Sequence, residues 1–199
     1  LPVWPAAGIA LFLLFIFGEI AVIGIFLGSL YAVIDFAIRH GDVHWFETPF
    51  LWLGMAAMNA LQAWACYRLL SPYTRDQARL KKHLAIFRLI FQCGFAVPIM
   101  AALGVMMVIY LNGRIELADI PLVALIWAVG NSVGILAVIP VIFGITQKHG
   151  DRFNFRFFLM LCGAVMAVFV LLFAFSHMVK QDILRTREAM VNRGEMLMS

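Results

Sequence analysis

The chain has 199 residues, of which 64% are hydrophobic and 13% charged, with a mean hydropathy of +0.95. Those proportions exclude an ordinary soluble globular domain, and the length leaves no room beside a membrane bundle for a separate water-soluble catalytic domain. The net charge of +4 would point to nucleic acid in a soluble protein; in a membrane protein it reflects loop orientation, so no nucleic-acid partner is expected.

The charge that exists collects in short joints. Residues 5 to 38 hold only Glu19 and Asp35, and residues 50 to 67, 89 to 113, 120 to 147 and 157 to 179 hold no Asp, Glu, Lys or Arg. A helix crosses the roughly 30 Å of hydrocarbon with about 20 apolar residues rising about 1.5 Å each, so each stretch predicts a crossing. As one helix the first would reach about 50 Å, and Gly18-Glu19 at its middle reads as a turn between two short helices. The expected fold is all-α: a polytopic transmembrane helical bundle of about six membrane helices, the first two short, over residues 1 to 179, then a helical tail or linker over 180 to 199. The chain opens on Leu1 without a natural start and closes on Ser199 without an evident stop, which fits either a fragment of something longer or a shortened variant. Leu1 to Phe17 lacks the basic leader and small-residue cleavage site of a secretory signal.

Loop charges orient the bundle. The joint from Arg68 to Arg88 carries Arg68, Arg75, Arg79, Lys81, Lys82 and Arg88 against the single acid Asp76, which places it in the cytoplasm of a bacterial inner membrane. By alternation the loops around Asp42 to Glu47 and Arg114 to Asp119 are external, each with more acids than Lys or Arg. The joint with Lys148, Arg152 and Arg156 is cytoplasmic. The helix from Phe157 to Val179 then runs outward and leaves Lys180 to Ser199 outside, its four bases nearly balanced by Asp182, Glu188 and Glu195. A break at Gly130 and Gly134 would reverse that side; simple alternation is preferred.

Ionisable and polar groups inside apolar helices are functional candidates, because an unpaired charge or amide is costly in hydrocarbon. Glu19 is expected in the turn after Gly18 at headgroup level, and Asp35 to pair with Arg39 four residues on. Asn59 and Gln62, three apart, share a helix face, and Asn131 lies in a later Gly-rich helix. The three are expected to meet as one polar cluster inside the bundle, through interhelical hydrogen bonds or as a small-ligand pocket. Gly24 and Gly28, and Gly130 and Gly134, each sit one turn apart and read as positions of close helix packing. Pro98 and Pro140 are expected to kink their helices, Pro140 alternatively ending a straight part, because proline removes a backbone donor.

Cys66, Cys93 and Cys162 lie inside apolar stretches, far apart and without metal-ligand spacing, and read as buried small hydrophobes. Of the histidines, His40 and His44 lie in a loop, His83 and His149 in basic joints and His177 at a helix end, so no facing pair exists for haem. His40, His44, Asp42 and Glu47 read as a solvated loop rather than a metal site. No phosphate loop, zinc motif or catalytic Ser or Cys setting is present, so no cofactor, metal or catalytic residue is expected. Tyr73 to Arg88 is basic and modestly amphipathic, with Leu80, Leu84, Phe87 and Phe91 on one side; Arg75, Arg79, Lys81 and Lys82 are expected to attract anionic headgroups at the inner surface.

Three stretches, in order, resemble the membrane-associated sensor domains of the MASE family, first type. Trp4-Pro5-Ala-Ala-Gly8-Ile-Ala, the Gly18 turn and Gly24-Ile-Phe-Leu-Gly28 resemble its opening. Met58-Asn59-Ala-Leu-Gln62-Ala with Tyr67-Arg68-Leu-Leu resembles a following helix, and Ile126-Trp127-Ala-Val-Gly-Asn131-Ser-Val-Gly134 through Pro140 is similar to the family's Trp, polar residue, Gly and terminal Pro. The resemblance covers residues 3 to 147; the chain lacks the family's usual first helix and, after residue 156, shows one crossing instead of a final pair. Such domains precede diguanylate cyclase, phosphodiesterase or histidine kinase output modules. No ligand follows from the motifs alone; the candidate ligand-contacting residues are Trp4, Asn59, Gln62 and Asn131.

The resemblance implies a non-enzymatic membrane input domain that passes a signal to an output module outside these residues. In the tail Ile183, Leu184, Met190, Val191, Leu197 and Met198 recur every seven residues, a stripe suited to pairing two copies or docking a partner helix, weakened by Gly194. Two other classes compete. Broken Gly/Pro helices with midplane polar residues also mark a small-molecule transporter or its membrane binding subunit, and the bundle alone would equally suit a structural subunit of a larger membrane complex.

Overall fold

The computed structural model describes residues 5–39, 48–75 and 83–146. All of its regular elements are helical: α1 (Pro5–Phe17), a 3₁₀ turn (Gly18–Ile20), α2 (Ala21–Arg39), α3 (Pro49–Arg75), α4 (His83–Phe91), a π turn (Gln92–Ala96), α5 (Val97–Leu111) and α6 (Ile120–Thr146). Three helical stretches among these residues, Ala6–Arg39, Phe87–Leu111 and Ile120–Thr146, are long and apolar enough to cross a membrane. The expected all-α membrane bundle is therefore observed. α3 matches α6 at 27 residues but is more polar, since it carries Asn59, Gln62 and Arg68. The apolar stretch 157–179 and the tail lie outside the described residues.

The breaks between helices follow local backbone chemistry. Gly18 has φ +72°, a left-handed conformation that a side chain with Cβ resists, and the long first stretch divides there as expected. Pro98 lacks an N–H and its ring crowds the carbonyl four residues back, at Gly94. Just ahead of it the chain widens into the π turn, in which the Val97 N–H reaches the Gln92 carbonyl. Pro140 has no such effect on continuity: α6 runs through it to Thr146.

Side-chain contacts set the directions. Ser29 meets Asn59 and Glu19 meets Arg68, so α2 and α3 are antiparallel. A Cβ on Gly54 would touch Val108 and one on Gly104 would touch Met58, so α3 and α5 are antiparallel too. Gly94 lies against Leu136 and Gln62 meets Asn131, which makes α6 antiparallel to α5 and parallel to α3. One end of the bundle therefore gathers Arg39, Pro49 and the segment joining α5 to α6. The other gathers the Gly18 turn, Arg68, Arg75 and Arg88. These are the two ends that the loop charges separate.

Two apolar cores stack along the bundle. Toward the basic end, Leu11, Cys66, Leu70, Leu89, Cys93 and the α6 residues Ile135 to Phe143 pack together. Toward the other, Ala37, Leu51, Trp52, Met55, Ala102, Val105, Met106, Ala124 and Ala128 do so. Helix α1 lies against α6 so closely that a Cβ on Gly8 would run into the Gly134 carbonyl and the Val138 side chain. Absence of a side chain is what allows that approach. Phe15 adds an edge-to-face contact on Tyr67 of α3, with ring centroids 5.0 Å apart.

Candidate functional site

Between the two cores lies the polar centre of the bundle. Asn131 Nδ2 donates to Gln62 Oε1 at 3.0 Å, with both residues buried. Gln62 has thirteen residues of α3 on either side, so it stands about 20 Å from each helix end, at the middle of α3. In hydrocarbon neither amide has water to bond, so each holds the other. Ser132, beside Asn131, spends its one hydroxyl proton on its own helix, donating to the Ala128 carbonyl at 2.7 Å.

Asn59 turns elsewhere. Its Nδ2 donates to Ser29 Oγ of α2 at 2.8 Å. The expected cluster of three is thus divided into two contacts, and helix geometry explains it. Residues three apart on a 3.6-residue turn differ by roughly 60° around the axis, enough for Asn59 to face α2 while Gln62 faces α6. Ser29, the partner supplied by α2, was not singled out in the sequence, although a hydroxyl in an apolar helix was the available signal.

The ionisable residues take the surface roles expected of them. Asp35 and Arg39 form an ion pair at 2.8 Å on the exposed end of α2. Glu19, in the turn after Gly18, accepts from Arg68 Nη1 at 2.8 Å, with both side chains more than half exposed. The Arg68 guanidinium also stands 5.6 Å from the centroid of the Trp64 ring, within cation–π range. The pair therefore ties the α1–α2 turn to the basic end of α3.

The glycine positions separate. Gly130 and Gly134 are buried within α6, and Gly134 takes the close approach of Gly8. Nothing lies within 4 Å of a Cβ placed on Gly24 or Gly28, so among the described residues these two make no close packing. Leu84, Phe87 and Phe91 are exposed along α4, the last two within the stretch Phe87–Leu111 that is apolar enough to cross a membrane. Trp4, Arg79, Lys81 and Lys82 lie outside the described residues.

Cys66 and Cys93 are buried, as expected of small hydrophobes. Though distant in sequence they meet in the bundle: each thiol lies against the other's backbone carbonyl, Cys66 Sγ 3.7 Å from Cys93 O and Cys93 Sγ 4.0 Å from Cys66 O. Sequence separation concealed this because the antiparallel pairing of α3 with the segment that leads into α5 brings distant positions to one level. Cys162 lies outside the described residues.

No curated protein and no solved structure matches the chain. The model of one family, MASE1, matches residues 1–187. That match runs beyond residue 147, where the resemblance described above ends, and through the last apolar stretch. MASE1 is a sensory domain family and not a catalytic one. With its apolar helices, the molecule is a multi-pass membrane protein in contact with lipid. The chain belongs to the MASE1 family of membrane-associated sensor domains.

Proposed function

We propose that this domain receives a stimulus at or within a bacterial inner membrane and passes it to an output module, a diguanylate cyclase, a phosphodiesterase or a histidine kinase, by shifting α3 against α6. The observation that carries this reading is the Gln62–Asn131 contact, set between two separately packed apolar cores. A single amide pair between two oily layers is a natural two-state element, because exchanging partners costs little as long as each amide keeps one. Asn59, one turn away on α3 and bonded to Ser29, supplies such an alternative. In this reading Gln62 and Asn131, with Asn59 and Trp4, contact a small polar ligand or respond to one.

The same reading places the basic joint near Arg75 against anionic lipid on the cytoplasmic side. It leaves the tail available to pair two copies or to continue toward a partner. Substituting Gln62→Met and Asn131→Val in the gene product that contains this domain tests it. Cellular cyclic-di-GMP or phosphotransfer output should change while the amount of protein in the membrane stays the same. Unchanged output with both substitutions, or solute uptake into vesicles that the substitutions abolish, would replace the sensor reading with the transporter one.

A further inference from the structure

Cys66 and Cys93 form the least expected contact in the bundle. Each is fully buried, and each thiol lies over the other's carbonyl at 3.7 and 4.0 Å. Each side chain thus reaches the other's main chain, which sets the two thiols on neighbouring residues of facing segments. Cys93 also lies in the π turn. Such single-turn widenings of an α-helix recur at functional sites.

We propose that Cys66 and Cys93 are an oxidisable dithiol, a modification site that closes to an intramembrane disulfide under a small uncharged two-electron oxidant, a hydroperoxide. The surroundings select the oxidant: the pair belongs to the same buried apolar core as Leu70, Leu89 and Leu136, so a charged reagent is excluded. With hydrogen peroxide, the sulfur of one thiol attacks an oxygen and the O–O bond breaks. The departing hydroxide takes that thiol's proton and leaves as water, with a sulfenic acid behind it. The second sulfur then displaces the sulfenic hydroxyl; the S–S bond forms, the S–O bond breaks, and the hydroxyl leaves with the second thiol's proton as another water. Two electrons pass from the sulfurs to the peroxide, and the proton count closes.

The disulfide would clamp α3 to the π turn one helical turn from Gln62, since residues four apart share a helix face. The site does not depend on the signalling role proposed above, and its test reads chemistry alone. The unsubstituted chain in its own membranes is treated with hydrogen peroxide, or with the neutral thiol oxidant diamide, then denatured, alkylated, digested and analysed by mass spectrometry. The expected product is a peptide joining Cys66 to Cys93 within one chain, lost on reduction with dithiothreitol, while Cys162 stays as alkylatable as before treatment. In a Cys66→Ser chain, and separately in a Cys66→Ala chain, no peptide joined through Cys93 should form. Undiminished alkylation of Cys66 and Cys93, joining of either to Cys162 or to a second copy, or oxidation of one thiol alone to the sulfinic acid would overturn the proposal.

Discussion

Replacing Gln62 by Met, Asn131 by Val, and then both together isolates the midplane hydrogen bond. Gln62 is 4% and Asn131 2% exposed, and each lies well inside its helix, so no water can relieve an amide left alone. Each single substitution therefore leaves the other amide's polar atom unpaired, at a cost of about 1–3 kcal/mol. The double substitution removes both amides and leaves Met against Val, an apolar contact of similar bulk. Its cost should fall short of the sum of the singles by the coupling, about 0.6–1.7 kcal/mol for an interhelical hydrogen bond in a membrane protein. Unfolding equilibria in bicelles, driven by added dodecyl sulfate and followed by tryptophan emission, measure all four corners of the cycle. Singles that add to within about 0.3 kcal/mol, as independent sites do, would show that the 3.0 Å contact carries no stability.

Gly8→Val should lower the yield of monodisperse protein and destabilise it by about 1–3 kcal/mol or more through overpacking against α6, whereas Gly24→Val and Gly28→Val should do neither; equal behaviour of the three on size-exclusion chromatography would refute the α1–α6 contact. Glu19→Gln breaks an ion pair that is largely solvent-exposed and should change stability by less than about 1 kcal/mol, so a larger loss in the same unfolding assay would mean that the turn is held mainly by that pair. In intact cells an impermeant thiol reagent should label a cysteine placed at Asp42 and spare one placed at Gln77, and the opposite pattern would invert the bundle. Alkaline phosphatase fused after Ser199 should be active if the tail is external; a stable but inactive fusion would reveal a further crossing and connect the tail directly to a cytoplasmic enzyme.

Much of this molecule is legible along the chain because the membrane enforces it. Backbone groups in hydrocarbon must bond within their own segment, so long charge-free runs have to be helices, and the positions of Lys and Arg sort the joints to two ends. Local chemistry is legible as well: the division at Gly18 follows from a backbone conformation that glycine favours, and the Asp35–Arg39 pair from four-residue spacing alone. What lies across from a given face is another matter. Asn59 and Gln62 were visible as amides in need of partners, yet which amide meets α2 and which meets α6 depends on a rotation of roughly 60° and on where the neighbouring helices settle. The approach of Gly8 to Gly134 and the meeting of Cys66 with Cys93 have the same origin. Each arises from the interlocking of side chains belonging to different helices, a property of the packed bundle that no spacing within one helix encodes.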